Sequence, residues 1–356
     1  MRLGIIGLPQ SGKTTLFNAL TRGTTPTGGV SGKIEVHTAV VDVPDQRVDV
    51  LSKMFNPKKT IYTKVTYADI AGLDGSAGKT GISGTLLNQL SQMDGFIHVV
   101  RCFEDEAVPH PSGSVNPLRD LETMDGEFIL NDLITVERKL ERLTEERKKG
   151  GGRDKALIEK EIVLFNQFHE TLSQEVPLRD IEISPEDERN LSGFSFLSRK
   201  PVLVIFNLAE SQPAPSVEYK HKHSKVEALQ GKLEMDIAQL PPEDAAMFMS
   251  EYGITEPSLN RMIRLSYDLL GLQSFFTVGP DECRGWTVKR GATAPEAAGE
   301  IHSDLQKGFI RAEVVAYDDL ISLGSMNECK AKGKLRLEGK EYIVKDGDIL
   351  NIRFNL

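Results

Sequence analysis

Gly7-Leu8-Pro9-Gln10-Ser11-Gly12-Lys13-Thr14 matches the pattern G-x-x-x-x-G-K-[ST]. Glycines at those positions let the backbone wrap around phosphate groups and present its N–H groups to them. Lys13 reaches the outer phosphates of a nucleoside triphosphate, and the Thr14 hydroxyl is suited to Mg2+. Gly7, Pro9, Gln10, Ser11, Gly12, Lys13, Thr14 and Thr15 therefore form the expected phosphate cradle. A second metal-side carboxylate is needed, and Asp69 supplies it where an alternating apolar run (Val65-Thr66-Tyr67-Ala68-Asp69-Ile70) leads into D-x-x-G. Asp69 would hold the metal through a water, and the Gly72 N–H would meet the γ-phosphate. Position 73 is Leu73, where Ras-like switches carry the glutamine that orients the attacking water. A leucine cannot hydrogen-bond water, so hydrolysis is slow or another group makes that contact; Leu73 also suits simple packing.

The base side is atypical. Asn207-Leu208-Ala209-Glu210 ends an apolar run, where a guanine pocket would carry N-K-x-D. Leucine replaces the lysine that packs over the base, and the longer Glu210 replaces the aspartate that accepts from guanine N1 and N2. Adenine, which lacks those donors, becomes at least as good a fit. Gln230-Gly231-Lys232 occupies the place of the last base-contacting loop.

These residues need elements to hold them. Leu3-Gly4-Ile5-Ile6 reads as a buried strand before the Gly7 loop, and Thr15–Leu20 as an amphipathic helix after it. Pro201–Phe206 reads as a strand delivering Asn207. Ile129, Leu133, Val136, Leu140 and Leu143 step by 4, 3, 4 and 3, a heptad seam, in a helix expected over 121–149. Gly150-Gly151-Gly152 breaks it, and a second helix buries Ile158, Ile162, Phe165, Phe168 and Leu172. The pair predicts an antiparallel coiled-coil hairpin. Its tip carries Arg147, Lys148, Lys149, Arg153 and Lys155, and residues 137–160 sum to +3. Such a tip is either a solvated end or a contact for RNA or a ribosome. Towards the C-terminus, Phe275–Val278 with Gly285–Val288 predicts a β-hairpin, Ala294–Ile301 a short helix, and Tyr342-Ile343-Val344 with Ile349–Phe354 a strand, turn and strand. That set predicts a small ubiquitin-like β-grasp module.

The chain has 356 residues, enough for two or three domains, and a net charge of −9. An acidic chain is no general polyanion binder, so a nucleic-acid contact requires a local basic patch. Hydrophobic residues at 39% and charged residues at 27% exclude wholesale disorder. Cys102, Cys283 and Cys329 are odd in number and far apart, which predicts no disulfides, no zinc site and a reducing compartment. No apolar run approaches membrane-spanning length, and the first residues carry no signal sequence. The expectation is a cytoplasmic protein without membrane contact.

With these motifs in view, the chain resembles the YchF / Obg-like ATPase family over nearly its whole length. The matching stretches are Gly7–Leu20, Val43-Pro44-Asp45, Asp69–Leu73, His98–Glu104, Asn116-Pro117-Leu118, Asn207–Glu210, Gly291–Pro295, Ile301-His302, Lys307–Glu313 and Tyr342–Phe354. The resemblance implies an α/β fold, a TRAFAC-class, OBG-type, Ras-like G domain with an inserted helical hairpin and a C-terminal TGS domain. The expected bounds are 1–120 with 190–273 for the nucleotide domain, 121–189 for the hairpin and 274–356 for the TGS domain. It implies an ATP-preferring, Mg2+-dependent hydrolase, often described as GTP-binding, that associates with ribosomes through the hairpin tip and TGS domain. The hydrophobic Leu73 and the unusual Asn207–Glu210 are also traits of that family. His110 matches a histidine of its flexible loop, which could swing over the γ-phosphate and act on the attacking water near neutral pH; a loop histidine without a role is the alternative.

Two departures stand out. Lys33 occupies the place of the switch I threonine, and a lysine cannot ligate Mg2+; Ser31 and Thr38 are the substitutes within reach. The segment Asp74–Gly81 after Leu73 is altered as well, which fits a divergent paralogue with changed hydrolysis or regulation. The reading is a slow NTPase hydrolysing ATP. Its alternatives are a GTP-specific ribosome-associated switch and a nucleotide-dependent scaffold with negligible hydrolysis.

Overall fold

A computed structural model describes residues 1–25, 36–71, 82, 84–149, 153–252 and 254–355. It separates into two compact units, Met1–Ala39 with Thr66–Leu259, and Val40–Val65 with Asn260–Leu356.

Twelve strands are present among the described residues: β1 (Arg2–Ile6), β2 (Val36–Asp42), β3 (Lys59–Ile61), β4 (Lys64–Ile70), β5 (Gly95–Arg101), β6 (Val202–Asn207), β7 (Ser224–Leu229), β8 (Leu272–Val278), β9 (Glu282–Lys289), β10 (Phe309–Ala316), β11 (Arg336–Glu338) and β12 (Asp348–Phe354). The first sheet runs β2-β4-β1-β5-β6-β7. β1 is parallel to both β4 and β5, and β5–β6 and β6–β7 are parallel too. Continuous apolar strands are what such a sheet requires, because helices cover both its faces; β5 and β6 are buried at every residue. The chain leaves β1 towards the β2 side of the sheet and leaves β5 towards the β6 side, so the loops after β1 and β5 flank the switch point where α/β sheets bind ligands. The β1–β4 register sets Ile5 beside Asp69, which brings the carboxylate level with the start of that loop.

The hairpin forms from helices Pro117–Lys149 and Lys155–Ser173. Ile129, Val136 and Leu143 share one core with Ile158, Phe165, Phe168 and Leu172. The first helix starts at Pro117, four residues before the expected 121, because Pro suits a first helical position and the Asn116 side chain accepts from the Arg119 N–H at 3.1 Å.

The second unit holds a mixed sheet ordered β11-β10-β12-β8-β9-β3. β8 and β9 form the expected antiparallel hairpin, β10 is antiparallel to β12, and β12 is parallel to β8. Helix Ala294–Ile301, started by a capping box between Thr293 and Glu296, packs Ala294, Ala297 and Ala298 on one face. This is the β-grasp arrangement. Two expectations change. Tyr342-Ile343-Val344 is no strand; Ile343 makes a single bridge to Thr293, while Tyr342 turns its hydroxyl to Asp348 at 2.7 Å. The expected bounds also left residues 40–65 in the nucleotide domain. They belong to the second unit, where β3 pairs with β9 and helix Gln46–Phe55 buries Val48 and Leu51 against Phe276, Cys283 and Ile349.

Candidate nucleotide site

The loop Gly7–Gly12 links β1 to helix Lys13–Thr21. Gly7, Gln10 and Gly12 have φ of 148°, 62° and 96°. Both glycines are required by space as well as by φ. A Cβ on Gly7 would lie 2.3 Å from the Val99 carbonyl oxygen, and one on Gly12 would lie 2.2 Å from Asn207 Nδ2. Lys13 Nζ turns back into the loop and donates to the Gly7 and Leu8 carbonyls, both at 2.9 Å. Burial pushes its pKa down to about 8, against the opposing pull of the Asp69 carboxylate. Pro9 and Thr15 are half-buried, Gln10 is exposed, and Ser11 is buried, its hydroxyl without a hydrogen-bond partner among the described residues.

Thr14 Oγ1 donates to Asp69 Oδ2 at 2.8 Å. Asp69 is buried, and burial raises its pKa, partly offset by the Thr14 hydrogen bond and the Lys13 charge. Its other oxygen, Oδ1, is buried and has no hydrogen-bond partner among the described residues. A buried carboxylate oxygen without a donor is costly. With the adjacent Thr14 hydroxyl oxygen it makes an oxygen donor set suited to a hard divalent cation, while the helix N-terminus beside it suits phosphate.

Asn207 ends β6 and is 4% exposed. Its Nδ2 donates to the Ser11 carbonyl at 3.0 Å, and its Oδ1 accepts from the Gly231 N–H at 3.0 Å. The side chain thus ties the phosphate loop to the start of helix Gly231–Gln239, with both ends of its amide on main chain. Leu208 is buried in the main core. Glu210 is exposed, Gln230 is half-buried, and Lys232 is exposed and paired with Asp236 at 2.9 Å. Gln212 was missed by motif reading. Its Oε1 accepts from the Ala209 N–H at 2.8 Å and its Nε2 donates to the Cys102 carbonyl at 2.7 Å, closing the 207–212 loop onto the end of β5. No motif position marks it; only its placement in a polar turn after N-x-x-E could have suggested it.

His110 is not free above the loop. It is 8% exposed, with Nε2 at 2.9 Å from Asp120 Oδ2 and Nδ1 accepting from the Ser112 N–H at 3.1 Å. An accepting Nδ1 leaves the proton on Nε2, which donates to Asp120. The preceding stretch is pinned by Arg101, which donates to the Phe103 and Val108 carbonyls at 2.9 and 2.7 Å. Gly72, Leu73, Ser31, Lys33 and the 74–81 stretch lie outside the described residues, and Thr38 is exposed on β2.

At the hairpin end, Arg147, Lys149 and Arg153 pair with Glu159, Glu145 and both Glu146 and Glu161. No ion pair involves Lys148 or Lys155 among the described residues. Cys102, Cys283 and Cys329 are free and buried. Among the described residues, no helix is long and apolar enough to cross a membrane.

Comparison with known proteins places these features in context. A family model described as a 50S ribosome-binding GTPase matches residues 2–139. The YchF GTPase C-terminal model, described as a protein of unknown function (DUF933), matches residues 272–355. The ribosome-binding ATPase YchF of Bacillus subtilis (strain 168) is 42% identical, with 99% of this chain and 99% of that protein covered. The protein of the same name from Escherichia coli O157:H7 is 40% identical, with 100% and 99% covered. The solved structure of the Schizosaccharomyces pombe YchF GTPase superposes with a TM-score of 0.83 at 29% identity, covering 99% of this chain and 97% of that one.

Proposed function

The chain belongs to the YchF family, and from that membership we propose that it is a ribosome-binding nucleoside triphosphatase that hydrolyses ATP slowly. The observation that carries the reading is the convergence of Lys13, Thr14 and Asp69 at the loop after β1, with Thr14 on one Asp69 oxygen and the other left without a donor among the described residues. Thr14 and Asp69 would hold Mg2+, which supplies charge neutralisation for the transferred phosphate when bound. Lys13 and the loop N–H groups hold the phosphates, and the Asn207–Glu210 and Gln230–Lys232 loops receive the base. His110 acts on the attacking water only once its ring leaves Asp120. Lys148 and Lys155 at the hairpin tip, together with the C-terminal unit, are the proposed ribosome contacts, and the residues carry no requirement for a membrane.

ATP rather than GTP is favoured by the absence of the N-K-x-D lysine and aspartate, and by the ATPase names of the bacterial relatives. The GTP-specific switch remains the second reading, supported by the GTPase descriptions of the domain model and of the fission yeast structure. Calorimetric competition of ATP and GTP on the purified chain decides between them; tighter GTP binding sinks the ATP assignment. A scaffold that barely hydrolyses is favoured by Leu73 and by the engaged His110. Single-turnover phosphate release with and without ribosomes tests it, and measurable turnover excludes it.

A further inference from the structure

The helix Pro242–Glu251 buries none of its residues. A surface helix ordinarily turns an apolar stripe to the core, and one this short is marginal in water on propensity alone. Its apolar residues are displayed instead. Met247 is 68% exposed and Tyr252, just past the helix end, is 59% exposed. The half-buried Phe248 stacks on Tyr252 with ring centroids 4.3 Å apart. Helical spacing sets Glu243, Met247 and Glu251 in one row and Asp244, Phe248 and Tyr252 in the next. The face therefore has an apolar centre with carboxylates at both ends. Glu243 and Asp244 suit the positive end of the helix, but Glu251 sits in the last turn, where the helix field disfavours a carboxylate. Its position does not serve the helix itself. Among the described residues, none of the three carboxylates has a side-chain ion pair or hydrogen bond.

We propose that this face docks a basic amphipathic protein segment, one with Lys or Arg side chains around an apolar anchor. Charge selects the occupant. RNA and anionic membranes would meet three uncompensated carboxylates, and a second copy using the same face would set acid against acid. Methionine and a stacked aromatic pair adapt to an apolar anchor of varied shape. The proposal rests on this helix and is independent of the triphosphatase reading.

The test is fluorescence anisotropy of the full chain with a labelled Lys/Leu amphipathic peptide of about 18 residues, roughly five helical turns. The expected result is saturable binding that weakens about tenfold or more in Met247→Glu and in a Glu243→Gln, Glu251→Gln double variant, and that weakens as salt is raised. All three positions are on the surface, so the variants should keep the parent circular dichroism and ATP affinity, which shows that they are folded. The proposal is overturned if the variants bind the peptide as tightly as the parent, or if a Glu/Leu peptide binds equally well. It is also overturned if the variants lose binding to single-stranded RNA, to phosphatidylglycerol vesicles or to a second copy in sedimentation, instead of to the basic peptide.

Discussion

Asn207 Oδ1 accepts the Gly231 N–H at 3.0 Å, and a Cβ on Gly231 would stand 2.8 Å from that same oxygen. The contact is close because no side chain separates the two loops, and through Asn207 Nδ2 it extends to Ser11 in the phosphate loop. Asn207→Ala leaves a buried carbonyl and a buried N–H unmade, a loss of about 1–3 kcal/mol for each unsatisfied group. Nucleotide affinity should fall with stability, and Gly231→Ala should do the same by displacing the amide. Calorimetry and thermal unfolding on both variants check this; unchanged ATP affinity in both would detach Asn207 from the site.

Lys13 carries the pH dependence. Its folded pKa is pushed down to about 8 from 10.5 by burial. The unfolded chain keeps the proton across that window, so the contribution of this group to stability rises with pH between the two values. Triphosphate binding has the opposite sign, because it requires the charged amine. ATP affinity should fall as pH rises above about 8, by at most about tenfold per pH unit, with a proton taken up on binding. Titrations at about pH 8.5 in two buffers of different ionisation enthalpy read the uptake, and its absence rules out the lysine as its source.

Gln212 holds the 207–212 loop, the proposed base loop, without being part of any nucleotide motif. Gln212→Ala frees the Ala209 N–H and the Cys102 carbonyl, and should weaken ATP binding about tenfold while narrowing the ATP-to-GTP ratio. Gln212→Glu keeps the acceptor and should recover part of the loss. Equal losses for both nucleotides would mean that the residue serves only stability.

His110→Ala should act twice. It removes one partner of the buried Asp120, at a cost of about 1–3 kcal/mol. If the ring also reaches the attacking water, single-turnover hydrolysis should slow by about tenfold or more at a temperature where the variant is folded. An unchanged rate confines His110 to holding Asp120.

Arg47 binds segment 40–65 into the C-terminal unit. It pairs with Asp45 at 2.8 Å and Asp346 at 2.7 Å, and its guanidinium lies 5.1 Å from the Phe276 ring centre. Arg47→Met should lower stability by about 2 kcal/mol, since both carboxylates lose their cation and the ring loses its cover. Denaturant unfolding reads the change, and wild-type stability would show that apolar packing alone holds the segment.

The phosphate loop was legible from Gly7 to Thr15 because its chemistry is local. Glycines at positive φ, a lysine and a hydroxyl must follow one another at fixed spacing, and the buried strands around them read as unbroken apolar runs. The hairpin was legible for the same reason, since heptad spacing records one face of a helix. Long-range pairing was not. Lys59–Ile61 carries no strand signal of its own, yet pairs with Glu282–Arg284, a partner more than two hundred residues away. Tyr342–Val344 looked like a strand, but Tyr342 gives its hydroxyl to Asp348. The family resemblance put His110 on a flexible loop, yet Asp120 draws it into a buried pair. Sequence by itself determined the Gly7–Thr14 loop between a strand and a helix, because that pattern is written in neighbouring residues. Only tertiary structure decided that Asn207 grips two loops, that Gln212 closes one of them and that residues 40–65 join the C-terminal sheet, because each depends on which distant backbone groups are left to be satisfied once the chain has packed.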